Sequence, residues 1–176
     1  GIGIVSSIGN NTNEVYESLL QGKSGITKNE DMASYGFRSQ VAGSIKLDVS
    51  EHVDKRTLRF MGPGAAYAHI AMDQAIKDAG LSEKEISHIR TGLVAGSGGP
   101  STSAMLTAHQ TVLKNLSPKR IGPFAVPKCM SSTISANLAT AYKIKGVNYS
   151  ITSACSTSLH CIGNAVDQIL LNKFSR

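Results

Sequence analysis

The sequence predicts an α/β fold, a parallel or mixed sheet covered by helices. Three observations carry that prediction. Strand-like and helix-like patterns alternate along the chain at the spacing of α/β proteins. Residues 91–97 read as a buried strand running into the glycine-rich turn Gly96-Ser97-Gly98-Gly99-Pro100. Residues 147–152 read as a second strand that breaks into small residues and then into a helical pattern. The 176 residues, 41% hydrophobic and 17% charged, are enough for one domain with a proper core, and no repeat, low-complexity tract or linker divides them.

Taken in order, residues 2–5 look like the tail of a buried strand. A helix follows over 12–21, capped by Asn11 or Thr12, with Glu14 in the first turn where a negative charge suits the helix dipole. The turn Gly22-Lys23-Ser24-Gly25 stops it, and residues 37–41 form a short strand. Residues 64–79 are a helix rich in alanine (Ala65, Ala66, Ala68, Ala71, Ala75, Ala79) that ends at Gly80, and its small residues predict close packing. After the strand at 91–97, a helix begins near Ser101. Another helix spans 128–142, and after the strand at 147–152 the last helix covers 155–171, with Ile162, Val166, Ile169 and Leu170 on its apolar side.

Charge and composition exclude several classes. The net charge of +6 and a pI near 9.3 favour an acidic partner. The charge is spread, however, and basic residues are not interleaved with aromatics and glycine as in nucleic-acid readers, so no nucleic acid is expected. No apolar run approaches the ~20 residues of a membrane span, and no basic-then-apolar leader stands at Gly1. The expectation is a soluble, cytoplasmic protein with no membrane partner. The chain ends read as those of a fragment cut on both sides. Three cysteines, Cys129, Cys155 and Cys161, form neither a disulfide framework nor a metal-site spacing. The glycine turn after Ala95 lacks the third glycine of a dinucleotide fingerprint and the lysine of a phosphate-binding loop. One basic cluster, Asp54-Lys55-Arg56-Thr57-Leu58-Arg59, sets Arg56 and Arg59 at i, i+3 if helical; a solvated surface face would look the same.

The strand-to-helix junction Ser153-Ala154-Cys155-Ser156-Thr157-Ser158 is the strongest chemical signal. A helix start offers unpaired N–H groups and the positive end of the macrodipole, so a thiol there ionises more readily than a free cysteine. Small neighbours allow the sharp turn of a nucleophile elbow. A buried core thiol fits the same pattern. A nucleophilic cysteine normally needs a base, yet none of His52, His69, His88, His109 or His160 is convincing by position. His160, five residues on, is turned about 140° from Cys155 around one helix, and His69 and His109 lie within predicted helices.

These motifs resemble those of the condensing enzymes of the thiolase superfamily, specifically the β-ketoacyl-[acyl-carrier-protein] synthases of type I from bacterial fatty-acid synthesis. The resemblance is carried by Gly1-Ile2-Gly3-Ile4-Val5-Ser6-Ser7-Ile8-Gly9, by Leu93-Val94-Ala95-Gly96-Ser97-Gly98-Gly99, and by Gly146 to Ile151 leading into Ser153-Ala154-Cys155-Ser156-Thr157-Ser158 and His160-Cys161-Ile162-Gly163-Asn164-Ala165. It covers essentially the whole chain, residues 1–176, as the N-terminal half of a thiolase-like fold, a mixed sheet between helix layers incomplete at both ends, with the C-terminal half absent.

The resemblance implies that Cys155 accepts an acyl chain as a thioester and that a decarboxylated malonyl-carrier thioester attacks it, lengthening the chain by two carbons. Two histidines and a lysine of the family come from the absent half, so the fragment alone is expected to be inactive. The backbone N–H of Cys155 would supply half of an oxyanion hole, whose single donors are worth ~3 kcal/mol. Gly98 and Gly99 match the gate of the acyl pocket, and a glycine at the second position favours type I over type II. Ala125 and Val126 match residues that reach across a homodimer interface to line the partner's acyl tunnel, with Met130 beside them. Lys55, Arg56, Arg59 and Lys119 match the basic patch that docks acidic acyl carrier protein, although a basic residue expected near Leu116 is missing and Lys114 stands nearby. No cofactor or metal is implied. A type II ketosynthase, a non-catalytic carrier-binding or dimerisation module, and a cysteine hydrolase using His109 or His69 are the alternatives.

Overall fold

Side chains that terminate or start helices in the sequence do so in space. The computed structural model describes residues 1–175 and falls into two units, Gly1–His52 with Ile70–Gly80, and Val53–His69 with Leu81 onward.

In the first unit, α1 (Thr12–Leu20) is capped by Asn11, whose side chain accepts the Glu14 N–H at 3.0 Å. Glu14 reaches back to the Asn10 N–H at 2.8 Å, so two orphan donors of the helix start are satisfied together. Gly22, at φ +61°, ends the helix in the left-handed region where glycine is the least strained residue. Strand β1 (Ile26–Lys28) pairs antiparallel with β2 (Val41–Gly43), Ile26 facing Gly43 and Lys28 facing Val41. The strand expected at 37–41 is therefore displaced. Its first residue is consumed by the C-terminus of an unpredicted helix, α2 (Glu30–Ser34), where Gly36 turns at φ +69° and the Phe37 N–H donates to the Met32 carbonyl.

Residues 2–5 are not a strand, which corrects another expectation. The N–H of Ile2 donates to Asp78 Oδ2 at 2.8 Å and that of Ile4 to Gln74 Oε1 at 3.1 Å, so side chains of a helix take bonds that a neighbouring strand would supply. The close packing predicted from alanine is real. A Cβ at Gly1 or Gly3 would collide with the carbonyls of Ala75 and Ala71, so only glycine lets this segment lie against the helix.

In the second unit, α3 (Lys55–Leu58) is a single turn capped by Asp54. The long helix α4 (Pro63–Ala79) starts here, burying Ala65 and Ala66, and ends at Gly80 with φ +64°. A full capping box, Ser82 with Glu85, starts the short α5 (Glu83–Ile86). Strands β3 (Leu93–Gly96) and β4 (Asn148–Ile151) pair in parallel, Leu93 opposite Asn148 and Gly96 opposite Ile151. Helices α8 (Thr133–Ala141) and α9 (Thr157–Leu170) pack on that pair, while α6 (Thr102–Asn115), capped by Ser101, packs against α7 (Ala125–Cys129).

The core of this unit includes Val53, Met61, Ile86, Ile134, Leu138, Cys161 and Phe174. Phe174 lies against Gly92, where any Cβ would enter its ring, and Arg90 holds the chain beside it by bonds to Asn172 Oδ1 at 2.6 Å and Ser175 Oγ at 2.5 Å.

Two helix expectations change. The helix expected over 128–142 is broken, because Met130 is extended (φ −63°, ψ 147°) and the buried Thr133 hydroxyl donates to the Pro127 carbonyl at 2.6 Å, a side-chain bond that competes with helix continuation. On α9 the buried side chains are Thr157 and Cys161, whereas Ile162, Val166, Ile169 and Leu170 are exposed. Among the described residues no helix is long and apolar enough to cross a membrane.

Candidate active site

Parallel pairing brings the C-terminal ends of β3 and β4 to the same edge, and both strands leave it through turns of small residues. A Cβ on Gly96 would collide with the Ile151 carbonyl, so glycine there lets the two strand ends close up. Gly98 then lies beside the second turn, where an added Cβ would stand 3.2 Å from the Ala154 carbonyl oxygen. The Ser97 hydroxyl donates to the Gly99 carbonyl and folds the first turn on itself.

The second turn is the elbow expected from the sequence. Ala154 has φ +46°, a left-handed conformation that costs an L-residue with a Cβ roughly 1–2 kcal/mol. Hydroxyl groups hold it in place. Thr157, 4% exposed, accepts the Ser153 N–H at 2.9 Å and donates to the Ala154 carbonyl at 2.8 Å, so one buried oxygen closes both ends of the turn. The Ser156 hydroxyl donates to the Ser153 carbonyl at 2.8 Å and lies 3.0 Å from the Ser153 hydroxyl. Ala154–Ser156 forms a 3-10 turn and α9 starts at Thr157, so Cys155 stands just before the α-helix, two residues later in onset than expected.

Cys155 is exposed at this elbow, whereas Cys161 is buried and Cys129 is half-buried with its thiol donating to the Ala125 carbonyl at 2.6 Å. The core-thiol alternative thus describes Cys161, not Cys155. The histidines weighed as bases sit in other surroundings: the His69 ring lies 5.1 Å from that of Tyr142, and His109 and His160 are exposed on α6 and α9. The arrangement can present a sulfur to an incoming electrophile, with backbone N–H groups of a helix start beside it.

Of the other residues singled out in the sequence, Gly99, Ala125, Met130 and Arg56 line three cavities, none of which includes Cys155 in its lining. Gly99 lines one of about 340 Å³ with Ser97, Pro100 and Ile134. Ala125 lines another of about 320 Å³ with Ile121, Phe124 and Lys128. Met130 lines a third, of about 360 Å³, together with Arg56 and Phe60. Val126 is 71% exposed and belongs to none of them.

Lys55, Arg56 and Arg59 are exposed on and beside α3, which gives Arg56 and Arg59 the i, i+3 relation. The Asp54 carboxylate caps that turn, accepting the N–H groups of Arg56 at 2.9 Å and Thr57 at 3.1 Å. The bond from the Thr57 side chain, more than any other influence, holds the Asp54 carboxyl below its ordinary range. Lys119 is exposed on a separate 3-10 turn, Pro118–Arg120. Thr157 and Ser153 were missed as supports of the site. Their signal was in the run of hydroxyl residues around Cys155, but which hydroxyl closes the turn depends on φ at Ala154.

Known proteins share this architecture. The ketosynthase/chain length factor of ishigamide superposes with a TM-score of 0.86 over 99% of this chain and 44% of its own, at 22% identity. A beta-ketoacyl synthase from Burkholderia phymatum gives 0.85 over 99% and 43%, at 24% identity. Those likenesses establish a ketosynthase-type, thiolase-like fold. In sequence, the chain is 54% identical over 173 residues to 3-oxoacyl-[acyl-carrier-protein] synthase 1 of Haemophilus influenzae and 51% identical over 174 residues to that of Escherichia coli K12. It covers 98% of its own length in both matches and 43% of each relative's. The model of the beta-ketoacyl synthase N-terminal domain matches residues 1–175, and the chain belongs to the beta-ketoacyl synthase family.

Proposed function

We propose that the protein containing this chain is a type I 3-oxoacyl-[acyl-carrier-protein] synthase of fatty-acid biosynthesis, that residues 1–176 are its N-terminal ketosynthase domain, and that Cys155 is its nucleophile. The observation that carries the proposal is the exposed sulfur on a positive-φ elbow braced by Thr157, at the shared end of a parallel strand pair. The Cys155 thiolate attacks the thioester carbonyl of an acyl carrier, the carrier thiol leaves, and the acyl group rests on Sγ. A malonyl thioester then loses CO2, and the resulting carbanion displaces Sγ to form a 3-oxoacyl product two carbons longer. Groups that assist decarboxylation lie outside this chain, so the chain alone is inactive.

Gly98 and Gly99 form the gate of the acyl pocket in this proposal, Ala125 and Val126 reach across a homodimer interface to line the partner's acyl tunnel, and Met130 lines the pocket beside them. Lys55, Arg56, Arg59 and Lys119 dock the acidic carrier protein. Support for a carrier partner comes from a ketosynthase of like fold, TM-score 0.73, solved in complex with a type II polyketide acyl-carrier protein. The basic net charge and the cytoplasmic location expected of the enzyme accord with that partner.

Acylation mapping tests the proposal on the intact protein. Incubation with an acyl-carrier substrate, or with a cerulenin-like epoxide, should modify Cys155 and spare Cys129 and Cys161 in peptide mass analysis. Modification at Cys129 or Cys161 instead, or condensation that persists in Cys155→Ala, overturns it.

A further inference from the structure

Ser153, Ser156 and Thr157 place a hydroxyl group on either side of Cys155, and each hydroxyl has one proton to give. Thr157 gives its proton to the Ala154 carbonyl at 2.8 Å. Ser156 gives its own to the Ser153 carbonyl, also at 2.8 Å. The Ser153 and Ser156 hydroxyl oxygens lie 3.0 Å apart, and since the Ser156 proton is already spent, Ser153 is the donor in that pair. All of these protons are therefore consumed inside the turn. None is left for a substrate oxygen, so charge that develops beside Cys155 must be met by backbone N–H groups.

The same bonds decide where those groups point. The Ser153 carbonyl accepts the Ser156 N–H at 3.1 Å as well as the Ser156 hydroxyl, and the Ala154 carbonyl accepts both the N–H and the hydroxyl of Thr157. In a trans peptide the N–H lies opposite the C=O of the same unit. With both carbonyls drawn toward the start of α9, the N–H groups joined to them, those of Ala154 and Cys155, face the other way, out of the turn. Neither N–H has an acceptor among the described residues. Positive φ at Ala154, leading into a 3-10 turn, is the kind of backbone in which successive N–H groups form a concave nest for an anion.

We propose that the N–H of Ala154 is a catalytic donor beside that of Cys155, and that Ser156 is the positioning residue that holds it outward through the Ser153 carbonyl. The proposal rests on the nucleophilic role given above to Cys155. As the Cys155 thiolate bonds to the thioester carbon, the carbonyl π electrons move to oxygen and the two N–H groups share that charge; its return re-forms the carbonyl and expels the carrier thiolate. The elbow then carries a pair of oxyanion donors within this chain.

The test compares two reactions of the Cys155 sulfur in the intact protein, both located by peptide mass analysis. Acylation by an acyl-carrier substrate passes through an oxyanion, whereas alkylation by iodoacetamide forms the S–C bond as iodide leaves and develops no such charge. Replacing Ala154 by lactic acid, its hydroxy-acid analogue, turns the amide between Ser153 and Ala154 into an ester, which removes that N–H and keeps every side chain. Single-turnover acylation should then slow about a hundredfold, the size of a lost oxyanion donor, with alkylation unchanged. Ser156→Ala should slow acylation about tenfold, as loss of one well-placed hydrogen bond does, again without slowing alkylation, and Ser156→Thr, which keeps the hydroxyl, should restore it. Unchanged acylation in the ester variant overturns the Ala154 donor, and unchanged acylation in Ser156→Ala overturns the positioning role. Equal slowing of both reactions means that only the sulfur has been displaced, and the proposal fails. A wild-type protein that takes no acyl group at Cys155 refutes the nucleophile itself.

Discussion

Replacing Thr157 by valine removes the buried oxygen that bonds both ends of the Cys155 turn while keeping the side chain's shape. Two hydrogen bonds are lost, from Ser153 N–H at 2.9 Å and to the Ala154 carbonyl at 2.8 Å. Each is worth about 0.5–1.5 kcal/mol net, and at a residue 4% exposed water cannot readily replace the lost oxygen. The expected loss is therefore about 2–3 kcal/mol, or roughly 2–4 °C in the melting temperature of an intact protein as long as the relatives of which this chain spans 43%. Thr157→Ser keeps the oxygen and loses one methyl group, about 1 kcal/mol. Acylation separates a local from a global effect. With Ala154 no longer held at φ +46°, the sulfur's placement relaxes, and acyl transfer to Cys155 should slow by about tenfold or more in Thr157→Val but little in Thr157→Ser. Thermal melts and single-turnover acylation of the intact protein read both quantities. Equal melting temperatures and equal acylation rates for the two variants would refute the bracing role of the hydroxyl.

Two further outcomes follow from the same geometry. Gly98→Val places a Cβ 3.2 Å from the Ala154 carbonyl oxygen, whereas a Cβ at Gly99 meets nothing within 4 Å; the first should cost about 1–3 kcal/mol and slow Cys155 acylation, and Gly99→Ala should leave stability near wild type, as denaturant titration will show. Asp54, its carboxyl lowered chiefly by the Thr57 side chain, stabilises the α3 turn above the ordinary carboxylate value of 3.8, and that contribution is lost as pH falls through the lower folded value. In an NMR titration the Thr57 amide should therefore shift with a midpoint below 3.8, and a midpoint at or above it would show that the cap is not formed.

Local signals were legible wherever one residue's chemistry decides the backbone. Asn11 and Ser101 cap helices, Gly22 and Gly80 end them at positive φ, and the alanines of α4 accept a close neighbour because they have nothing to get in the way. Elements were missed where a partner decides. β1 has no strong pattern of its own and exists because β2 pairs with it, and residues 2–5 bond to Asp78 and Gln74 rather than to a strand. Periodicity correctly marked the apolar stripe of α9 but could not say which side faces the strands, and that side carries Thr157 and Cys161.

By itself the sequence determined that a cysteine stands where a strand gives way to a helix, among residues small enough for a sharp turn, and that its motifs are those of a ketosynthase. Tertiary structure decided which cysteine is presented. Cys129, Cys155 and Cys161 are chemically alike, and tertiary packing alone buries Cys161 on α9, half-buries Cys129 on α7 and leaves Cys155 exposed at the elbow. It also decided that Gly98 touches the elbow and that Arg56 shares a cleft with Met130, because those residues are far apart in sequence and meet only when the strands align and α8 packs.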